Sequence, residues 1–141
     1  VKKVLALLLF VSLTGCTDPY GVAAKLAQDV AVSVNQADVT IDQFRVDGTV
    51  TNDEERTILG YLGSLNTLDG NYLACVQDAH ASPTKVGGFT ACAQSLASAM
   101  GNPATLAALH VSNPASQAKV TAVVQGITTL VETTITALGG K

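Results

Sequence analysis

The chain has 141 residues, with 11 acidic and 8 basic side chains and a formal net charge of −3. It carries no basic patch, which tells against nucleic-acid binding by phosphate neutralisation. Aromatic residues make up only 4% and Trp is absent, which disfavours a sugar or peptidoglycan cleft built on aromatic platforms.

Lys2 and Lys3 open the chain, and residues 4–13 (VLALLLFVSL) follow without a charge. That run is too short to cross the roughly 30 Å hydrocarbon core as a helix, which takes about 20 residues. It has the make-up of a signal-peptide core. It ends in Leu13-Thr14-Gly15-Cys16. This sequence resembles the lipobox of bacterial lipoproteins: an aliphatic residue, a small one, Gly or Ala, then Cys.

The resemblance implies diacylglyceryl transfer to the Cys16 sulfur and cleavage between Gly15 and Cys16. It often brings a palmitate-type acyl chain on the new amino group as well. The small Thr14 and Gly15 let a peptidase take the backbone into a narrow cleft. Residues 1–15 then form a removed signal-peptide helix, 16–21 a lipidated tether and 22–141 the domain. An ordinary signal peptide with an incidental Cys16 is the competing reading. Each buried CH₂ contributes about 0.8 kcal/mol, and two or more acyl chains anchor stably. The partner implied is therefore a membrane, reached through the lipid on Cys16. Thr17 stands where an Asp would favour the inner membrane, so an outer-membrane address in the cell envelope is favoured. Loss of Lys2 and Lys3 leaves a more acidic domain, so the lipid rather than charge does the anchoring.

Residues 22–47 predict a long helix, with Leu26, Val30, Val34, Ala37, Ile41 and Phe44 at helical spacing and Gly48 as its C-terminal cap. Several β-branched residues in 39–46 make a short strand the alternative there. Thr51 with Glu54 matches a capping box, and Asp53-Glu54-Glu55 suits the positive end of a helix dipole. That helix should run to about Ala81, with Ile58, Leu62, Leu65, Leu68, Tyr72, Val76 and Ala79 facing inward. Gly60 and Gly63 would allow a neighbouring helix to approach, and Gly70 would mark a kink. A turn at Ser82-Pro83-Thr84 leads to a third helix over about 86–100, with Phe89, Ala93, Leu96 and Met100 inward. Asn102-Pro103 starts a short helix to about His110, and Asn113-Pro114 starts a last long helix over 114–138. Its inner face is Val120, Val124, Ile127, Val131 and Leu138. Residues 120–138 carry Gln125, Glu132 and several Thr, which is too polar for a lone membrane span.

The expected fold is all-α: an antiparallel bundle of three long helices, one shorter helix and a short extra helix. Such a chain also looks like the many small helical lipoproteins of unassigned function.

With Cys16 consumed by lipid, Cys75 and Cys92 remain, an even pair in an exported chain. They lie equally far from the turn at Pro83, so an antiparallel hairpin sets them side by side. A disulfide closing that loop would stabilise by roughly 3 kcal/mol. Two buried thiols or a redox pair are the alternatives, although no Cys-x-x-Cys is present to tune a thiolate.

His80 and His110, the only histidines, suit helix C-terminal ends. Asp78 near His80 is too little for a metal site. Asp38 and Asp42 share a helix face that either binds a cation weakly or is simply solvated. Gly87-Gly88 is read as a tight turn in preference to an anion cradle. No Ser lies in a Gly-x-Ser-x-Gly elbow. No catalytic residue, metal or cofactor is assigned. The leading expectation is a non-enzymatic, membrane-anchored envelope domain with a structural role or a still unidentified protein partner. The alternatives are a module binding an apolar small molecule or lipid between helices, and an envelope enzyme using His80 or His110.

Overall fold

The computed structural model describes residues 18–82, 88–101 and 109–140. The signal segment with Cys16, the turn at Pro83, Gly87 and the short helix expected from Asn102-Pro103 lie outside the described residues.

Helix α1 spans Pro19–Val46. It starts three residues earlier than its apolar spacing implied. The reason is local. The Asp18 carboxylate accepts hydrogen bonds from the Tyr20 and Gly21 amides, each 3.1 Å, and Pro19 needs no amide partner in the first turn. The β-branched stretch 39–46 is helical; burial of Ile41 outweighs its strand propensity. α1 ends in a Schellman turn: Gly48 sits at φ +75°, its amide donates to the Arg45 carbonyl, and the Thr49 amide donates to that of Phe44.

Helix α2 spans Asn52–Ala81 and opens on the expected capping box. Thr51 Oγ1 accepts from the Glu54 amide, and Glu54 Oε2 accepts from the Thr51 amide at 2.8 Å. Its buried stripe is Ile58, Leu62, Leu65, Asp69, Tyr72 and Val76. Leu68, assigned inward from its hydropathy, is only half-buried, and Asp69 takes the core position beside it. The three glycines do not serve close packing. Gly60, Gly63 and Gly70 all face open space where a Cβ would stand, and α2 continues through Gly70 as helix.

Helix α3, Gly88–Met100, buries Cys92, Ala93, Leu96 and Met100. Helix α4, Pro114–Ala137, is capped by Asn113 Oδ1 on the Ala115 and Ser116 amides. It buries Val120, Val124, Ile127 and Val131, and also Ser116 and Thr134. Thr128, Thr133, Thr134 and Thr136 each donate a hydroxyl proton to the carbonyl one turn back, so these four hydroxyls are satisfied within the helix. A second Schellman turn closes it, with Gly139 at φ +81°. By length and composition alone α4 is long and apolar enough to cross a membrane; here its apolar stripe packs into the core.

The four described helices pack as a bundle. α1 and α3 each lie against both α2 and α4. Bonds between the ends fix the sense of each helix. Tyr72 reaches the Ala23 carbonyl, Thr90 reaches that of Leu138, and Ser116 reaches that of Thr49. The chain thus runs up α1, down α2, up α3 and down α4. α3, at 13 residues, is only about 20 Å long against about 42 Å for α1. Leu109 and Val111, both buried, continue the core above it. One end of the bundle, here the tether end, holds Asp18, Tyr20, His80, Phe89 and Leu138. The other, the distal end, holds the Gly48 turn, the Thr51 cap and residues 111–116.

Candidate functional site

Cys75 on α2 and Cys92 on α3 meet at disulfide-bonding distance, with their Cα atoms 5.8 Å apart. The pair is asymmetric: Cys75 faces solvent and Cys92 is buried. A thiolate attacking Cys75 would have to release the Cys92 sulfur as an anion into apolar surroundings, which opposes reduction. The pair lies in an open depression between α2 and α3. One part, of about 150 Å³, is lined by Leu68, Tyr72, Leu96 and Ala99 with the polar Asn71 and Ser95. A wider and flatter part, of about 460 Å³, continues towards the tether end past Asp78 and Gly88.

Tyr72 and Asp69 form a buried polar pair one turn apart on α2. The Tyr72 hydroxyl donates to the Ala23 carbonyl at 2.8 Å. Burial, with the charge of Asp69 second, pushes the Tyr72 phenol above its usual range. Asp69 is 8% exposed and its Oδ1 has no hydrogen-bond partner. Burial raises its carboxyl to about 6. Sequence periodicity could have found Asp69, since 62, 65, 69, 72 and 76 keep helical spacing. A charged residue type at that position hid it.

At the distal end the charges are paired. Arg45 bridges Glu55 (2.9 Å) and Asp42 (2.8 Å). The hydrogen bond to Asp42, then that to Glu55, raises its already high pKa. Asp42 thus belongs to an ion pair, and Asp38 stands half-buried one turn away. Glu54 Oε1 accepts from the amide (2.7 Å) and hydroxyl (3.0 Å) of Ser112. Hydrogen bonds from the Thr51 and Ser112 amides hold the Glu54 carboxyl down at about 2. Asp47, bonded by Thr49, is also lowered. Lys119 lies over the Phe44 ring at 5.5 Å.

The two histidines occupy opposite ends. His80 ends α2 and stacks on Tyr20, with ring centroids 3.9 Å apart, and Phe89 lies 6.1 Å from Tyr20. His110 is exposed at the distal end, with φ +50°. No group of three potential metal ligands occurs among the described residues. Ser112 is bonded to Glu54, a hydroxyl–carboxylate pair of the type that begins a nucleophilic site. A carboxylate held near 2 is a poor base for a serine proton, so capping explains this pair better than catalysis.

Comparison with protein-family models, curated proteins and solved structures finds no match to this chain.

Proposed function

We propose that this protein is a bacterial envelope lipoprotein, held on a membrane by acyl chains on Cys16, whose helical domain works through protein contacts or as a structural element rather than by catalysis. The observation that carries this reading is Leu13-Thr14-Gly15-Cys16 closing a Lys-Lys plus apolar leader. Cys75 and Cys92 at bonding distance agree with an oxidising compartment.

The surface supports a contact role. Val32, Val39 and Val46 recur two turns apart on the outside of α1, at 47%, 72% and 62% exposure. Leu59 and Leu73 are exposed on α2, which carries no exposed charge between Arg56 and Asp78. The valines on α1 have the exposed Asp42 beside them, whereas the α2 face is uncharged, a surface of the kind on which proteins meet partners. The depression beside the disulfide opens on the bundle's flank and is partly polar, which favours the contact reading over an apolar ligand held inside.

Two measurements test the proposal. Cys16→Ser should move the protein from the membrane fraction of the native host to the soluble fraction; retention on the membrane would refute the anchor. A photo-crosslinking side chain at Val39 should capture a discrete envelope protein in that host. Absence of any adduct there and at Leu59 and Leu73 would count against the contact role.

A further inference from the structure

The aromatic residues at the tether end carry an inference that rests on the lipid-anchor reading and goes beyond it. Tyr20, His80 and Phe89 come from three different helices, α1, α2 and α3, and meet as one ring cluster. Tyr20 and Phe89 are half-buried and His80 is exposed, so the cluster presents ring surface outward at the end of the bundle. Its position relative to Cys16 is tightly limited. The N-cap of α1 is Asp18, only Thr17 separates it from Cys16, and two residues of chain reach at most about 7 Å. A lipid on Cys16 therefore holds the start of α1 against the bilayer surface. Tyr20 lies in the first turn of that helix.

We propose that the Tyr20–His80–Phe89 cluster seats in the headgroup layer of the phospholipid bilayer that receives the acyl chains, so that the bundle stands end-on. Rings with an apolar body and a polar tip are favoured at that boundary, and Tyr and His have this character. Charge does not set this orientation: the Arg45–Asp42 and Arg45–Glu55 ion pairs lie at the distal end, but the tether half holds the Lys25–Asp29 pair and the exposed Asp78. Asp18, the carboxylate nearest the anchor, is turned back onto the Tyr20 and Gly21 amides. Because one residue lies between Cys16 and the Asp18 cap of α1, the orientation of the end face sets that of the whole bundle. The distal end then stands about 40 Å above the membrane.

The absence of Trp from the chain gives a clean probe. Full-length, acylated Tyr20→Trp and Val46→Trp would be placed in phosphatidylcholine vesicles containing a lipid with a nitroxide on its headgroup. The expected result is at least twofold stronger quenching, with a blue shift, for the Trp at position 20 than for that at 46. Phe89→Trp supplies an independent probe of the same end, and circular dichroism confirms that each variant folds. Equal quenching at 20 and 46 means that the bundle lies flat and overturns the proposal. Absence of quenching at 20 and 89 in protein whose mass shows the acyl chains also overturns it, while leaving the anchor intact. A mass without acyl chains removes the anchor and this orientation together.

Discussion

The distal end and the tether half of the bundle treat a carboxylate in opposite ways. On the first turn of α2, Glu54 is met by two amides and a hydroxyl, and its carboxyl sits at about 2. On the same helix, nearer the tether end, Asp69 is buried with one oxygen unpartnered, and its carboxyl rises to about 6. One residue class thus stabilises the fold when charged at one place and destabilises it at the other. What differs is the supply of donors, which are free main-chain amides at a helix start and none in the middle of a packed stripe. The distal end is therefore held by hydrogen bonds and ion pairs. The tether half brings Cys75 and Cys92 to bonding distance, stacks Tyr20 on His80, and accommodates a buried charge.

The sharpest way to break this contrast is Asp69→Leu. The folded pKa of Asp69 lies above the unfolded value near 3.8, so between about pH 4 and 6 the folded chain keeps a proton that the unfolded chain has lost. Stability falls as pH rises through that window and stays reduced above it. A rise of about two units corresponds to about 3 kcal/mol, so the variant should be about 3 kcal/mol more stable at pH 7 and lose that slope. Urea titrations at pH 4 and 7 measure this; an unchanged midpoint at pH 7 would show that Asp69 finds a donor in solution. Of similar size is the joint replacement Cys75→Ser with Cys92→Ser. It should cost roughly 3 kcal/mol, read as a lower melting temperature that reductant reproduces in the parent protein. Two free thiols titrated in the denatured, unreduced parent protein would mean that Cys75 and Cys92 are not bonded.

Smaller effects test the distal side. Thr51→Ala removes an acceptor from the α2 start and should cost about 1 kcal/mol. Glu54→Gln should alter the acid limb. The folded pKa of Glu54 lies below its usual 4.5, so its contribution is present above about 4.5 and is lost as pH falls towards 2. The variant should lose less stability than the parent across that range, as followed by circular dichroism. An effect as small as that of Thr51→Ala is expected at the tether end, where Tyr20→Ala breaks the stack on His80 at a cost of about 1 kcal/mol, read as a lower melting temperature.

Most of the fold was legible from local chemistry. The Thr51–Glu54 box, the Gly48 stop and the Asn113-Pro114 start are short-range signals, and the structure places a helix terminus at each. Asp18-Pro19 is the same cap-and-proline signal as Asn113-Pro114, but it was hidden because residues 17–21 read as tether. The meeting of Cys75 and Cys92 followed from their symmetry about Pro83. Two features resisted. Asp69 enters the core because its helix phase demands it, against its own hydropathy, and a hydropathy stripe therefore passes to Leu68. Gly60, Gly63 and Gly70 suggested a packed face, yet glycine spacing does not state which side of α2 meets its neighbours. The cluster of Tyr20, His80 and Phe89 joins residues distant in sequence and becomes visible only once three helix ends come together.

The proposed function rests on one covalent event, lipid transfer to Cys16. The most direct test is mass spectrometry of the N-terminal peptide of the mature protein, purified from membranes of its native host. A lipid anchor at Cys16 requires a peptide that begins at Cys16 and carries a diacylglyceryl group on sulfur. A peptide that retains residues before Cys16, or one that begins at Cys16 with an unmodified thiol, would contradict it.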